Sequence, residues 1–130
     1  MTLTSSTVTT SVTNSGNGGF AYFTGDRVVL NANTFTANSC EAKSSGGSTS
    51  GNGGIFYFSH SGGTASTLTF INAFNVGTAK AAQNGGMIYA TGSASYTTSI
   101  SNLAATSLTA TSGSGGGLYF INSGTISITV

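Results

Sequence analysis

One phrase occurs four times along the chain: Gly18-Gly19-Phe20-Ala21-Tyr22-Phe23, Gly53-Gly54-Ile55-Phe56-Tyr57-Phe58, Gly85-Gly86-Met87-Ile88-Tyr89-Ala90 and Gly116-Gly117-Leu118-Tyr119-Phe120-Ile121. A phrase that returns at a nearly constant interval describes a structural unit that cannot bury its apolar face alone and does so by stacking on its neighbours. With the second glycine of each pair as the ruler, the intervals are 35, 32 and 31 residues. Each interval is long enough for more than one strand.

The stretches between the phrases supply the rest of each repeat. A second strand is read at Val28-Val29-Leu30-Asn31, Thr69-Phe70-Ile71-Asn72 and Ser99-Ile100-Ser101-Asn102, each ending in Asn. A third follows at Phe35-Thr36-Ala37, Val76-Gly77-Thr78 and Leu108-Thr109-Ala110. Three strands per repeat predict an all-β fold: a parallel β-helix (β-solenoid) of about four coils, roughly three strands per coil, in a single domain over residues 1–130. The coils fall at about 1–25, 26–60, 61–92 and 93–123, with a partial coil at 124–130. Asn31, Asn72 and Asn102 would form a column at one corner, because Asn tolerates the left-handed backbone conformation and its amide can bond to the Asn one coil above.

Composition supports strands over helix or disorder. Proline is absent, strong helix formers are sparse, and no window of eleven residues carries an apolar stripe at helical spacing. The abundant Ser, Thr and Gly would suit a flexible linker, but the Val, Ile, Leu, Phe and Tyr residues fall in short runs bounded by Gly, Asn and Ser, as strands between turns do. No apolar run approaches the roughly 18 residues of a membrane-crossing helix, and the first residues have neither the basic nor the apolar segment of a signal peptide.

Charged residues make up 4% of the chain, against roughly 25% in ordinary soluble domains. With a net charge of +1 there is no basic stripe for phosphates, so nucleic acid is excluded as a partner. The same inventory argues against an enzyme. Glycoside cleavage needs paired carboxylates, and stabilising a developing anion needs clustered cations. The acids are Asp26 and Glu41, and the cations are Arg27, Lys43 and Lys80. Asp26 and Arg27 adjoin in a turn, and Glu41 and Lys43 share an insertion. His60 reads as a solvated turn residue, and Cys40, the one cysteine, can form neither an internal disulfide nor, with one His, a zinc site. The chain is therefore expected to be non-enzymatic, with no catalytic, metal or cofactor site.

The Gly-Gly-apolar phrase, together with the Phe-x-x-Asn of Phe35-Thr36-Ala37-Asn38, resembles the repeats of polymorphic outer membrane proteins and related right-handed β-helix surface proteins of the autotransporter adhesin type. That resemblance covers most of the chain and implies an extracellular or cell-surface location and a structural or adhesive role.

Self-assembly is the partner reading that the residues favour. Alternation along the phrase would place Phe20, Tyr22, Ile55, Tyr57, Met87, Tyr89, Leu118 and Phe120 inside, leaving a second apolar face with Phe23, Phe56, Phe58 and Tyr119 that needs cover, from a partner or from an insertion such as residues 41–52. Strand-like ends at Thr2-Leu3-Thr4 and at Ile126, Ile128 and Val130 carry no Pro or charge to blunt them. Those ten residues are the expected interface of a homopolymer joined end to end, with lateral contacts as an addition. The resulting expectation is a building block of an extracellular fibre or surface layer. The alternative is an adhesin segment that binds a cell or carbohydrate surface. Ice binding is a weaker third reading, because the Thr-x-Thr pairs at Thr2, Thr7, Thr67 and Thr109 do not share one spacing from the glycine phrase.

Overall fold

The computed structural model describes residues 1–44, 51–122 and 125–129, and every regular element among them is a strand. In chain order these are β1 (Thr2–Val8), β2 (Ser11–Thr13), β3 (Ala21–Gly25), β4 (Val29–Ala42), β5 (Phe56–His60), β6 (Ser66–Ala81), β7 (Ile88–Gly92), β8 (Tyr96–Ile100), β9 (Leu103–Ala110), β10 (Leu118–Asn122) and β11 (Ile126–Thr129). They form two separate sheets. The larger has seven strands, ordered β1-β4-β6-β8-β11, with β2 also paired to β4 and β9 to β6. The smaller has four, ordered β10-β7-β5-β3. Every pairing is parallel.

This corrects the fold expected from sequence. A parallel β-helix (β-solenoid) of four coils with three strands per coil requires a third sheet, and there is none among the described residues. The expected second and third strands are one strand in two repeats, and in the next they are two strands, β8 and β9, of the same sheet. β4 runs through both Val29-Leu30-Asn31 and Phe35-Thr36-Ala37, and β6 through both Thr69-Phe70-Ile71 and Val76-Gly77-Thr78. What was read as a corner is a bulge, where the register of β4 against β6 shifts between Asn33 and Phe35. A bulge bends a strand without ending its pairing.

Left-handed residues mark that bulge. Ser5, Thr34, Asn72 and Asn102 have φ between +46° and +67°. Asn72 and Asn102 were anticipated there, and Asn31 was not confirmed: it lies opposite Thr69 in the ladder, and Thr34 takes the bulge position in its repeat. The Asn72 amide donates to Asn33 Oδ1 at 2.7 Å, and the Asn102 amide donates to the Asn72 carbonyl at 2.7 Å.

The apolar core lies between the sheets. β4 turns Leu30, Ala32, Phe35, Ala37, Cys40 and Ala42 inward, and β6 turns Leu68, Phe70, Phe74, Val76, Ala79 and Ala81. From the smaller sheet come Phe56, Phe58, Ile88 and Ala90, all fully buried. Phe56 holds the centre, with ring centroids 5.4 Å from Phe35, 5.7 Å from Phe70 and 5.8 Å from Phe20. Offset and tilted aromatic pairs at such separations add to the gain from burial.

Pairing within the smaller sheet also corrects the sequence alignment of the fourth phrase. Leu118 lies opposite Ile88, which lies opposite Phe56, which lies opposite Ala21. The glycine pair equivalent to Gly85-Gly86 is therefore Gly115-Gly116, one residue earlier than read, and Gly117 stands where the other repeats have Phe20, Ile55 and Met87. Gly18, Gly53, Gly85 and Gly115 share a left-handed φ of +64° to +70°. A methyl group on Gly54 would fall on the Gly86 carbonyl oxygen, and one on Gly86 on that of Gly116. The pair is thus required twice over, once for the bend and once for the close approach of the next repeat.

Candidate assembly surface

The smaller sheet shows its second face to solvent, and of Phe23, Phe56, Phe58 and Tyr119, expected there, it carries Tyr119. Ile55 and Phe56 are consecutive and both fully buried. Their amides both donate to the Met87 carbonyl, at 2.9 and 3.0 Å, and the amides of Met87 and Ile88 likewise share the Gly117 carbonyl. Two residues facing one acceptor form a bulge, and the in–out alternation restarts after it. Phe56 and Phe58, expected on an outer contact face, are consequently core residues with no accessible surface. Phe23 is partly buried against the same core. Tyr22, Tyr57 and Tyr89, expected inside, point outward instead, in line with Tyr119, which was expected on the outer face.

They form a ladder. Tyr22 stacks on Tyr57 with ring centroids 4.7 Å apart and planes 4° from parallel, Tyr57 on Tyr89 at 4.9 Å and 5°, and Tyr89 on Tyr119 at 5.5 Å and 25°. These spacings match the ~4.8 Å between paired strands, so the rings stack face on face along the direction in which the repeats follow one another. Tyr22, at one end, is 53% exposed. Burial within the stack pushes the Tyr57 phenol up to about 12, with the neighbouring Tyr89 and Tyr22 adding to the rise. Tyr89 is raised for the same leading reason, and then by Tyr119. Beside the ladder runs a second outward column: Thr24, Ser59, Thr91 and Ile121.

Charge is kept off this face. Glu41 and Lys80 pair across β4 and β6 at 3.1 Å, with Lys43 3.9 Å from the same carboxylate. Among the described residues no group of three or more His, Cys, Asp or Glu is placed to hold a metal ion. Cys40 is buried, and desolvation pushes its thiol up to about 11. His60, expected in a solvated turn, is 3% exposed: it points inward from β5, and its ring meets Tyr96 edge-on at 4.6 Å. Neither of its ring nitrogens has a hydrogen-bond partner among the described residues.

The remaining expected interface residues lie on sheet edges. Thr2, Leu3 and Thr4 pair with Asn31, Ala32 and Asn33 on one side of β1, and Ile126 and Ile128 pair with Tyr96 and Thr98 on one side of β11. Val130 lies outside the described residues, as do residues 45–50 of the segment expected to cover the second face. Traced through the ladder, β1 and β11 meet only at the position shared by Thr2, Asn31, Thr69, Ser99 and Thr129. Direct pairing of β1 on β11 would therefore leave Ile126 and Ile128 without partners. Next to the start of β1 a groove of about 340 Å³ opens, lined by Met1, Phe23, Thr24, Arg27, Val28 and Val29.

Sequence reading missed the tyrosine ladder and also a ladder of amides. Asn52 donates its amide to Asn17 Oδ1 at 3.1 Å, and Asn84 does the same to Asn52 Oδ1 at 3.1 Å. Both signals were present as Asn-Gly-Gly and as Tyr four residues after the first glycine of the pair, once Gly115 replaces Gly116 as the start of the fourth phrase. No known protein family, curated protein or solved structure matches the chain. No helix is long and apolar enough to cross a membrane among the described residues.

Proposed function

We propose that this is a non-enzymatic structural protein that associates with copies of itself, as a building block of an extracellular fibre or surface layer. The observation that carries the reading is the outer face of the smaller sheet: a regular, uncharged array of stacked tyrosines and hydroxyl side chains, bounded by strands that are each paired on one side. Little charge is present to oppose the approach of an identical molecule. Strand edges of this kind readily template pairing with another chain.

The adhesin alternative gains less from the geometry. Carbohydrate recognition by aromatic residues uses exposed ring faces, and here the faces are stacked on one another. Ice binding needs an extended threonine array. Thr67 and Thr69 do lie beside Thr97 and Ser99, but Val29 and Asn31 interrupt the columns in the preceding repeat.

Negative-stain images of the purified chain over a concentration series test the proposal. Filaments or sheets with a regular repeat are the expected outcome. Dispersed particles of monomer size at every concentration would overturn it.

A further inference from the structure

We infer that copies join head to tail, in the register that already relates successive repeats, so that Tyr119 of one molecule stacks on Tyr22 of the next. This rests on the self-association just proposed and specifies its contact.

The polarity of the backbone bonds points to it. At each glycine bend the donors face the following repeat: Gly19 N–H donates to Gly53 O, Gly54 to Gly85 O and Gly86 to Gly115 O, all at 3.0 Å. One residue further on, Phe20 donates to Ile55 O, Ile55 to Met87 O and Met87 to Gly117 O, each at 2.9 Å. Continued by one repeat, the pattern aims the Gly117 N–H at the carbonyl of a second copy's Phe20. One edge therefore offers donors where the other offers acceptors. A contact between two different edges leaves an identical pair of edges behind and does not close.

Side chains and strand positions agree with the same superposition. β10 and β3 occupy equivalent places, so Leu118 to Asn122 come opposite Ala21 to Gly25 of the second copy. The tyrosine ladder then runs on without a break, since among the described residues Tyr22 and Tyr119 each stack on one tyrosine only. β9 meets β1 and β2, with Leu103 opposite Ser6 and Leu108 opposite Ser11. β11 enters the groove beside β4, where Ile126 and Ser127 come opposite Val28 and Val29. Ile128 and Thr129 take the positions of Met1 and Thr2. Docking therefore displaces Met1, whose amine donates to the Val29 carbonyl at 2.8 Å, together with Thr2, which pairs with Asn31.

A disulfide trap tests the register. Thr24 and Ile121 are exposed, outward-facing and equivalent in the ladder. Across the junction their α-carbons would be about 4.8 Å apart, within the range that a disulfide spans. The double variant Thr24→Cys/Ile121→Cys, oxidised under conditions where the wild type assembles, is expected to give a ladder of covalent dimers, trimers and larger species on a non-reducing gel. Each single variant is expected to stay monomeric on the gel. Cys40 is buried and does not compete. Assemblies that scatter light but give no such ladder overturn the head-to-tail register and leave self-association standing. A double variant that is folded by circular dichroism yet sediments as a monomer, together with a wild type that does the same, overturns both.

Discussion

At the scale of single residues, the strongest constraint is the second glycine of each pair. A methyl group on Gly54 would meet the backbone of Gly86 and of Lys80, and backbone has no rotamer by which to give way. Gly54→Ala is expected to cost about 3 kcal/mol, whereas Gly63→Ala, where nothing lies within 4 Å of the added carbon, is expected to stay within about 0.5 kcal/mol of wild type. Urea melts of the two variants check the pair. His60 shows the opposite balance. Its buried nitrogens have no partner among the described residues, its ring covers Gly92, and it forms a T-shaped pair with Tyr96. Replacing an unsatisfied polar ring by an apolar one of similar size removes a desolvation cost, so His60→Phe is expected to stabilise by about 1 kcal/mol in the same melts.

At the scale of elements, neighbouring repeats exchange large and small residues to keep the core filled. Cys40, Ala79 and Leu108 share one column, while the bends beside them carry Ile55, Met87 and Gly117. Where the strand residue is small the bend residue is large, and in the fourth repeat the sizes are reversed: Leu108 reaches to 3.3 Å from the place of a Gly117 Cβ. Leu108→Ala alone should cost about 2 kcal/mol. The double variant Leu108→Ala/Gly117→Met, which copies the Ala79 and Met87 arrangement, should recover part of that loss. A double-mutant cycle with no coupling between the two sites would refute this packing.

The tyrosine ladder makes a prediction on the same scale. Tyrosine is charged when it loses its proton, and the stack holds the Tyr57 proton to about 12 against 10.0 for an ordinary phenol. Between those values the unfolded chain gives up its proton first, so stability should fall as pH rises through that window. Tyr57→Phe should flatten the fall. Absorbance titration and thermal melts between pH 9 and 12 read both effects.

How far the sequence alone carried the reading is clear at this scale. The repeat, the strands and the parallel stacking of like phrases were visible in the glycine pairs and apolar runs. The inward and outward faces were visible only in part: Ile55 and Met87 are buried as expected, whereas Phe56, Phe58 and the tyrosines Tyr22, Tyr57 and Tyr89 are reversed. Each bulge adds a residue whose effect is to invert the alternation, and a bulge formed by two amides sharing one carbonyl has no signature in residue type. The same limit turned Phe56 and Phe58 from expected contacts into core, and made one long strand of two expected short ones. The extra glycine in Gly115-Gly116-Gly117 concealed the fourth tyrosine of the ladder for a related reason, since composition does not say which two of three glycines make the bend.

For the whole molecule, the proposed assembly makes the two ends complements of each other and the outer face a regular contact surface. Hydrogen exchange measured at rising protein concentration addresses that claim most directly, because amides at a junction gain protection only when a second copy binds, while interior amides are protected already. Residues 20–25 and 115–122 are predicted to slow with concentration, and residues 56–60 of β5, paired on both sides, to stay unchanged. Exchange at residues 20–25 and 115–122 that is independent of concentration, under conditions where light scattering shows assembly, would contradict the account.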